Sequence, residues 1–363
     1  ILRYLVKVLI EKTDENILLL ANTNRAVDEI CSALLKIGND FPFIKLGHDR
    51  VSNYKENLIC FIPYDQLNDK IRNTRVFVST VATANKTDEI FELKKFDTII
   101  IDEATQILEV QIVGLLSKVN RFIMIGDEKQ LPPISTVSDK ELMIEDATLN
   151  SIEFNNLKDS LFERLLRLSK KNSWNVYGLL TEQSRMSMNV MRLCNTLFYK
   201  NRLKKRTDVV KNNLKNVFIN TEIEKYVSKV NMQEVDIVIN LINSIEFNEV
   251  LEKKTIGVIS PWLLQCNEIY KRLTAEQKNK ITVDTVERFQ GSERDIIIYS
   301  TATNNSFLLD LLSVTKIIDG IEVDRKLNVV ISRAREQFIL LGNRELLSKK
   351  QVYRKLIELI ETE

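Results

Sequence analysis

Two adjacent carboxylates follow an apolar run in the segment TIIIDEATQ, residues 98–106. The three isoleucines before them show no polar alternation, a pattern typical of a parallel strand that is covered on both faces. Asp102 and Glu103 would then lie at the carboxyl end of that strand, where open α/β sheets bind their ligands. Two carboxylates in that position are therefore expected to face a ligand.

In P-loop NTPases an Asp at this place holds Mg²⁺, while the phosphates lie in a glycine-rich loop that ends in Lys-Ser or Lys-Thr. The sequence contains nine glycines, and none of them is followed by Lys. The phosphate loop is therefore absent from these 363 residues.

A second segment, MIGDEKQLPPI at residues 124–134, contains a predicted strand that ends at Gly126 and Asp127. It lies one helix and one strand after the acids, which makes it the neighbouring strand of a parallel sheet. We expect this adjacency to bring Gln130 to the same edge as the two acids. A glutamine there can bond a γ-phosphate or the attacking water.

Strand-like segments alternate with helical segments along the chain and form two groups. This alternation predicts two doubly wound parallel α/β domains, residues 1–178 and 179–363. The segment DSLFERLLRLSKK predicts a helix over 159–171 that closes the first domain, with Asp159 or Ser160 as its N-cap. The predicted strands are 16–22, 75–81, 96–102, 121–127, 216–221, 254–260, 294–301 and 337–343.

Composition narrows the class of protein. A chain of 363 residues with 44% apolar residues can bury a large core. Lys and Arg number 52 against 50 Asp and Glu, so a basic surface has to come from local clustering.

Four cysteines without a C-x-x-C pair and one histidine argue against a zinc site or a disulfide framework. No apolar run reaches the length of a membrane span and no signal-peptide pattern is present, which predicts a cytoplasmic protein.

Several motifs occur together in one order. Two early ones are ILLLANTNRAVDEI (17–30) and VFVSTVATAN (76–85). The later motifs are IIIDEATQ, IGDEKQLPP, SLFERL, LTEQSRM, IGVISPW, VDTVERFQGSERDIII and RKLNVVISRAREQFILLGN. With these motifs the chain resembles superfamily 1 helicases of the class that contains the nonsense-mediated-decay RNA helicase and related bacterial helicases, in which the two early motifs contact nucleic acid. The resemblance spans nearly the whole chain and implies two RecA-like domains.

In this family the loop G-x-x-x-x-G-K-T precedes the helix that leads to ILLLANTN. The resemblance therefore implies that the partner of the two acids lies upstream of the given chain, together with further domains. We expect the 363 residues alone to bind ATP poorly and to turn it over negligibly. The reason is that the amides and the Lys that hold the β- and γ-phosphates are missing.

The resemblance and the chemistry together imply roles for five residues. Asp102 would hold Mg²⁺, usually through its water shell, and Glu103 would take the proton of the attacking water. Gln130 would sense the γ-phosphate of ATP. Arg185 and Arg333 match two family arginines of the second domain, where a guanidinium neutralises charge on the transferred phosphoryl group. An isolated arginine is more often a surface salt-bridge partner.

Other residues match the nucleotide-binding motifs of the family. The segment FQGSERD matches the motif that couples nucleotide binding to strand binding, and its Gly291 is expected to form a turn. The family usually has an aromatic residue at the position of Ser184, where it stacks on adenine. Its absence weakens the expectation of a strong preference for ATP. The predicted nucleotide contacts are Gln183, Gly291, Glu293 and Arg335.

The resemblance also implies a single strand that is contacted mainly through its backbone. Small hydroxyl and amide side chains at strand ends suit sugar and phosphate bonding, which orients a strand without reading its sequence. Each such residue could as easily be a turn or helix-cap residue. The predicted strand contacts are Thr23, Asn24, Thr80, Pro261, Thr285 and Gln290.

Two further segments stand out. The run YKNRLKKR at residues 199–206, followed by Lys211 and Lys215, is the only dense basic patch of the sequence. It is either a solvated helix end or a phosphate contact. Residues 38–74 separate the two early motifs, where the family often inserts an accessory element, and this insertion is short.

The leading hypothesis is an ATP-dependent helicase or translocase on single-stranded DNA or RNA, with 5′ to 3′ movement by resemblance only. Its two RecA-like domains would close on ATP and reopen after hydrolysis. The alternative is a non-enzymatic nucleic-acid-binding or scaffolding module derived from a helicase core. The acid pair, Gln130 and both arginines favour the enzyme, because an inactive copy need not keep them.

Overall fold

Contacts divide the chain into two units in the computed structural model. The first unit contains Ile1–Glu128 and Pro132–Tyr177, and the second contains Lys129–Leu131 and Gly178–Glu363. The structure describes residues 1–38, 40–47, 54–135, 137–206, 214–224, 228–244 and 253–363.

A five-stranded sheet forms the centre of the first unit. Its strands are β1 (Ile17–Ala21), β2 (Ile44–Lys45), β3 (Val76–Thr80), β4 (Thr98–Ile101) and β5 (Arg121–Met124). They pair in parallel in the order β2-β3-β1-β4-β5. Strands β1, β3 and β4 are buried along their whole length, which accounts for their unbroken apolar sequences.

Helices cover both faces of this sheet. Leu19 of β1 shares one apolar cluster with Val27, whereas its neighbour Leu18 shares another with Ile112. Successive strand residues therefore point into separate core layers. The helices are α1 (Leu2–Lys12), α2 (Asn24–Leu35), α3 (Tyr64–Asn73), α4 (Val81–Ala84), α5 (Glu89–Leu93), α6 (Glu109–Leu116), α7 (Asp139–Leu142), α8 (Ala147–Ser151) and α9 (Leu161–Lys171).

The second unit has a central sheet of the same kind. The strands are β6 (Glu182–Gln183), β7 (Lys204–Lys205), β8 (Val217–Asn220), β9 (Ile256–Ser260), β10 (Ile281–Thr285), β11 (Arg294–Ser300), β12 (Thr315–Ile318), β13 (Ile321–Asp324) and β14 (Ala334–Gly342). Five of them pair in parallel in the order β10-β9-β11-β14-β8. Strands β12 and β13 form an antiparallel pair, and β6 and β7 a parallel pair.

Helices also cover both faces of the second sheet. Ile298 of β11 shares an apolar cluster with Val238, and the preceding Ile297 shares another with Leu327. The helices are α10 (Met188–Phe198), α11 (Met232–Asn243), α12 (Leu263–Arg272), α13 (Ala275–Lys280), α14 (Val286–Phe289), α15 (Ser306–Leu312), α16 (Arg325–Ser332), α17 (Arg344–Leu347) and α18 (Gln351–Glu361).

The predicted fold class is confirmed, because each unit is a RecA-like α/β unit built on a parallel sheet. All eight predicted strands are present, as β1, β3, β4, β5, β8, β9, β11 and β14. The predicted helix is α9, and Ser160 caps it by accepting the Glu163 N–H at 3.2 Å. The sequence missed β10, a partly exposed strand at the edge of its sheet, because ITVDT alternates apolar and polar residues over only five positions.

No helix within the described ranges has both the length and the apolar content needed to cross a membrane. All four cysteines are free thiols, and three of them are buried.

Candidate functional site

The acid turn, Asp102–Gln106, directly follows β4 in the first unit. Its backbone is tied to both neighbouring strands: the Asp102 N–H donates to Leu20 O at 2.8 Å, and the Ala104 N–H to Ile125 O at 2.9 Å. Glu103 has a φ of +51°, in the left-handed region that residues other than glycine rarely adopt. The turn then enters a short 3₁₀ segment. The position of both acids is therefore set by the sheet.

The two carboxylates of the acid turn lie next to each other and are half-buried. Asp102 Oδ1 accepts the Glu103 N–H at 3.1 Å, and Glu103 Oε2 accepts Gln106 Nε2 at 3.0 Å. Burial, and then the negative charge of Glu103, raise the pKa of Asp102 to about 6. Ionising both carboxylates is therefore unfavourable, and a nearby cation would make it more favourable.

Gly126, at the end of the second predicted segment, lies directly against the acid turn. A Cβ on Gly126 would stand 3.2 Å from Thr105 Cγ2 and 3.3 Å from Thr105 N. Strand β5 pairs in parallel with β4, with Met124 opposite Ile101. The predicted adjacency of the two strands is confirmed, and a glycine permits the close approach of their ends.

Gln130 belongs to the second unit, because the contacts of its segment Lys129–Leu131 are with that unit. Gln130 Oε1 accepts Arg333 Nη2 at 2.9 Å, and Asn328 Nδ2 donates to Lys129 O at 2.8 Å. Leu131 is part of an apolar core cluster of the second unit. The sequence grouped Gln130 with residues 1–178, whereas these contacts group it with Arg333.

Three predicted residues of the second unit form an arginine cluster: Arg185, Glu293 and Arg335. Arg185 Nε donates to Glu293 Oε2, and Arg335 donates to Glu293 Oε1 through Nη2 at 2.6 Å and Nε at 2.9 Å. Arg335 also reaches Asp295 Oδ1 at 3.4 Å. Burial works to raise the pKa of Glu293, but Arg185 and Arg335 outweigh it and hold that pKa below its ordinary value. Glu293 is therefore an ionised acid shared by two cations.

Arg333 is only 2% exposed, which is unusual for a charged side chain. Three neutral oxygens accept its hydrogen bonds: Val329 O from Nε at 3.3 Å, Ser292 O from Nη1 at 3.5 Å, and Gln130 Oε1. The residue is also the C-cap of α16, where the helix dipole favours a positive charge. Its guanidinium is therefore held in one orientation.

The remaining predicted nucleotide-motif residues differ in how their side chains are used. Gln183 Oε1 accepts the Met186 N–H at 2.7 Å and its Nε2 donates to Met186 O at 3.1 Å, so the amide closes its own turn. Gly291 has a φ of +79°, which confirms the predicted glycine turn. Gln290 Nε2 is buried and has no hydrogen-bond partner in the structure. A buried amide of this kind is a candidate for a ligand contact.

Two predicted strand contacts act as helix caps. Thr23 Oγ1 accepts the Ala26 N–H at 3.2 Å at the start of α2, and Thr80 Oγ1 accepts the Thr83 N–H at 3.0 Å at the start of α4. Thr285 precedes α14 but makes no such side-chain bond. A threonine hydroxyl that accepts one hydrogen bond can still donate another, so capping and ligand contact are compatible for Thr23. Thr80 Oγ1 already donates to Thr83 Oγ1 at 2.9 Å.

The other strand candidates and the basic run lie at the surface or at strand ends. Asn24 is exposed at the start of α2, and Pro261 is half-buried directly after β9. Within the basic run, Lys204 is exposed and belongs to β7, while Lys200 Nζ donates to Asp319 O. Lys211 lies outside the described residues. The run is therefore partly sheet rather than a simple helix end.

Sequence reasoning missed residues that support the site. Gln106 holds Glu103, and its position three residues after that acid in a turn segment is a usable signal. Asp295 pairs with Arg335 and lies two residues after Glu293. Such spacing places both acids on one side of an extended segment.

A third missed residue is Glu234 in α11, which is fully buried. Burial raises its pKa to about 7, against hydrogen bonds from Ser300, Ala302 and Thr221 that lower it. The sequence carries a signal, because Glu234 stands one helical turn before the buried Val238.

Two protein-family models match the chain. A model described as AAA domain, AAA_12, matches residues 157–345, and a second AAA domain model, AAA_11, matches residues 48–138. The first model alone covers more than half of the chain.

Curated relatives are similar over most of the chain. An uncharacterized ATP-dependent helicase, MJ0104, of Methanocaldococcus jannaschii is 31% identical over 81% of the chain and 43% of its own length. The DNA replication ATP-dependent helicase/nuclease DNA2 of Bos taurus is 28% identical over 96% of the chain and 35% of its own length. Helicase sen1 of Schizosaccharomyces pombe is 29% identical over 72% of the chain and 15% of its own length. The chain thus spans less than half of these relatives.

Among solved structures, the arterivirus nonstructural protein 10 helicase in complex with DNA is 12% identical. The likeness covers 93% of the chain and 57% of that protein, with a TM-score of 0.49.

Proposed function

This chain belongs to the superfamily 1 helicases, in the class related to the nonsense-mediated-decay helicase. We propose that it forms the core of an ATP-dependent helicase or translocase on single-stranded nucleic acid. Movement is 5′ to 3′, as in the family it resembles. Several curated relatives are named as ATP-dependent helicases, which supports the use of ATP.

The observation that carries this proposal is the acid turn. Two half-buried carboxylates are fixed at the carboxyl end of β4, where burial and then the charge of Glu103 raise the pKa of Asp102. The donor set fits Mg²⁺, which takes one or two carboxylates and completes its shell with water and phosphate oxygens. Asp102 would hold the ion, which neutralises phosphate charge when bound. A purely structural strand end has no need of this arrangement.

Glu103 is the general base in this proposal. Its Oε2 accepts Gln106 Nε2 at 3.0 Å, which orients the carboxylate without neutralising it. Only an ionised carboxylate can accept the proton of an attacking water. Gln106 is therefore a positioning residue for the base.

The second unit contributes cationic and sensing groups. Arg333, whose guanidinium donates to Val329 O, Ser292 O and Gln130 Oε1, would present a fixed guanidinium to the transferred phosphoryl group. Gln130 bonds Arg333 directly, so a glutamine that senses the γ-phosphate would also affect the arginine. Arg185 and Arg335 share Glu293, and all three serve the nucleotide together with Gln183 and Gly291.

The partner is single-stranded DNA or RNA. Its backbone contacts the strand-end residues of the early motifs and of the second unit, where small polar side chains suit phosphate and sugar. The unpartnered Gln290 amide supports a contact of this kind. The assigned contacts are Thr23, Asn24, Thr80, Pro261, Thr285 and Gln290.

The test uses the full-length protein with Mg²⁺ and ATP. Phosphate release is measured with and without single-stranded DNA and RNA oligonucleotides, and strand binding is measured in parallel by fluorescence anisotropy. We expect strand-stimulated hydrolysis that chelation of Mg²⁺ abolishes. Strand binding without any turnover would instead identify a nucleic-acid-binding module without enzymatic activity.

A further inference from the structure

A buried acid of the second unit has no role in the proposed chemistry. Glu234 lies in the first turn of α11 and is 0% exposed. Its Oε2 accepts Ser300 Oγ at 2.7 Å and the Ala302 N–H at 2.9 Å, and its Oε1 lies 3.4 Å from Thr221 Oγ1. All of these donors come from residues at the ends of β8 and β11. One carboxylate therefore joins two strand ends.

The backbone that Glu234 holds is unusual. Ala302, just beyond β11, has a φ of +43°, a left-handed conformation that costs a residue with a Cβ about 1 kcal/mol or more. The Ala302 N–H donates to Glu234 Oε2 at 2.9 Å, and a buried N–H left without an acceptor is costly. The carboxylate stabilises this conformation, and removing it would let Ala302 relax.

The same loop holds an indole next to a predicted strand contact. Trp262 Nε1 donates to Thr301 O at 3.0 Å, and Trp262 directly follows Pro261. The exposed Lys229 has its Nζ 5.1 Å from the centroid of the Trp262 ring. The position of Thr301 therefore determines where the indole, the proline and this cation stand at the end of β9.

Amide side chains close the network on its other sides. Gln265 Nε2 donates to Ser300 Oγ at 2.9 Å, and its Oε1 accepts the Asn231 N–H at 3.0 Å. Asn231 Nδ2 donates to Asn304 Oδ1 at 3.0 Å. A buried network with its partners in place is rigid and specifies one arrangement.

We propose that Glu234 is a positioning residue for strand binding, which acts through the Ala302 N–H, Thr301 O and the Trp262 indole to fix Pro261 and Lys229 against a nucleic-acid backbone. This inference rests on the proposed function, since it names residues that prepare the strand site of the second unit. The ligand that meets Lys229 is the phosphate of a single strand, which a cation beside a proline at a strand end can contact without reading bases.

Glu234→Leu and Glu234→Gln test the proposal in the full-length protein. Leucine fills the site but accepts no hydrogen bond. Glutamine can still accept from Ser300 and Ala302 through its oxygen and donate to Thr221 Oγ1 through its amide. We expect Glu234→Leu to weaken strand affinity about tenfold or more, because it leaves the buried Ser300 and Ala302 donors without an acceptor, and Glu234→Gln to stay within about threefold of the parent. Asp236→Leu, on an exposed position of the same helix, is the matched control.

The readout separates positioning from general damage. The strand concentration that half-maximally stimulates ATPase should rise in Glu234→Leu, while kcat at saturating strand and the strand-free rate stay near the parent. Equal losses in all three quantities would show a merely structural role and overturn the proposal. Parent-like strand affinity in Glu234→Leu would also overturn it.

A second variant covers the case in which Glu234→Leu does not fold. Trp262→Phe removes the indole N–H that bonds Thr301 O and keeps an aromatic ring, although a smaller one, and we expect about a fivefold loss of strand affinity. In the double variant, which carries Glu234→Leu and Trp262→Phe, the two losses of strand affinity should not add. Both substitutions interrupt the same chain of contacts from Glu234 to the Trp262 indole. If the parent protein binds no strand, the proposed function fails first and this inference fails with it. If the parent binds and Trp262→Phe binds equally well, only this inference is wrong.

Discussion

The acid turn of the first unit and the arginine cluster of the second unit lie at different ends of the strands in their own sheets, and they differ in electrostatics. The acid turn follows the carboxyl end of β4, whereas Glu293 and Arg333 directly precede the amino ends of β11 and β14. The acid turn groups two negative charges and raises a pKa, whereas the arginine cluster gives one carboxylate two cations and lowers its pKa. The rule that α/β sheets bind ligands at their carboxyl edge finds only the first of these regions.

This difference separates two kinds of charged group. The acid turn is held by the backbone of its sheet and places two half-buried carboxylates side by side. The arginine cluster satisfies its own charges, so its arginines are oriented before any ligand arrives. Arg333 differs from both, because its guanidinium is buried and donates to Val329 O, Ser292 O and Gln130 Oε1.

The largest effect should come from Arg333. In the full-length protein, Arg333→Ala should lower strand-stimulated kcat on the order of 10³-fold or more, as for arginine fingers. Arg333→Lys should not restore it, because a point charge cannot replace the planar guanidinium that reaches three acceptors. Nucleotide affinity, measured by equilibrium titration, should persist. Near-normal kcat in both variants would make this arginine structural.

Glu103 should show the next largest effect. Glu103→Gln keeps the shape of the side chain but removes the proton acceptor, so turnover should fall about 10²- to 10⁴-fold. Binding of nucleotide and strand should be largely intact, which titration with a labelled nucleotide and a labelled oligonucleotide would show. Gln106→Ala is an informative companion, with a smaller loss because it only releases Glu103. If Glu103→Gln retained turnover, another group would have to be the base.

Glu234 extends the comparison to an acid of the second unit without a cation. Its folded pKa of about 7 lies above the ordinary 4.5, so the fold favours the protonated form. Its stabilising contribution is complete below pH 4.5 and is lost as the pH rises through about 7, by up to about 3 kcal/mol. The difference in free energy of unfolding between the parent and Glu234→Gln should therefore change with pH over this window. Denaturant titrations at pH 5 and pH 8 that gave the same difference would contradict this prediction.

The smallest effects compare the two regions directly. At pH 8 and without nucleotide, Asp102→Asn should stabilise the protein by about 1 kcal/mol, because it removes a charge that burial and Glu103 disfavour. Glu293→Gln should destabilise it by about 1 kcal/mol, because it leaves Arg185 and Arg335 without their shared anion. Thermal melting of both variants beside the parent shows whether each substitution raises or lowers the melting temperature. Two shifts in the same direction would show that the different electrostatics of the two regions do not determine stability.

The sequence predicted the strands that carry long apolar runs and the acid turn that follows one of them. Their signals are local, because a buried parallel strand needs apolar residues on both faces and ends where polar residues begin. Strands β6, β7 and β10 carried no such signal, since a short, partly exposed segment has little apolar content. Strand β2 is buried but only two residues long. The cap Ser160 was predictable for the same local reason.

By itself the sequence determined the fold class, the ends of the main strands and the types of residue that could handle phosphate. Only the tertiary structure decided which of these side chains meet. Arg185 and Glu293 are 108 residues apart, and Arg333 and Gln130 are 203 residues apart, yet each pair is hydrogen-bonded. Strand order and helix packing bring such residues together, and neither is encoded in the periodicity of a single segment. A buried acid such as Glu234 finds its partners in the same way, because it lies on a helix and its donors lie at the ends of β8 and β11.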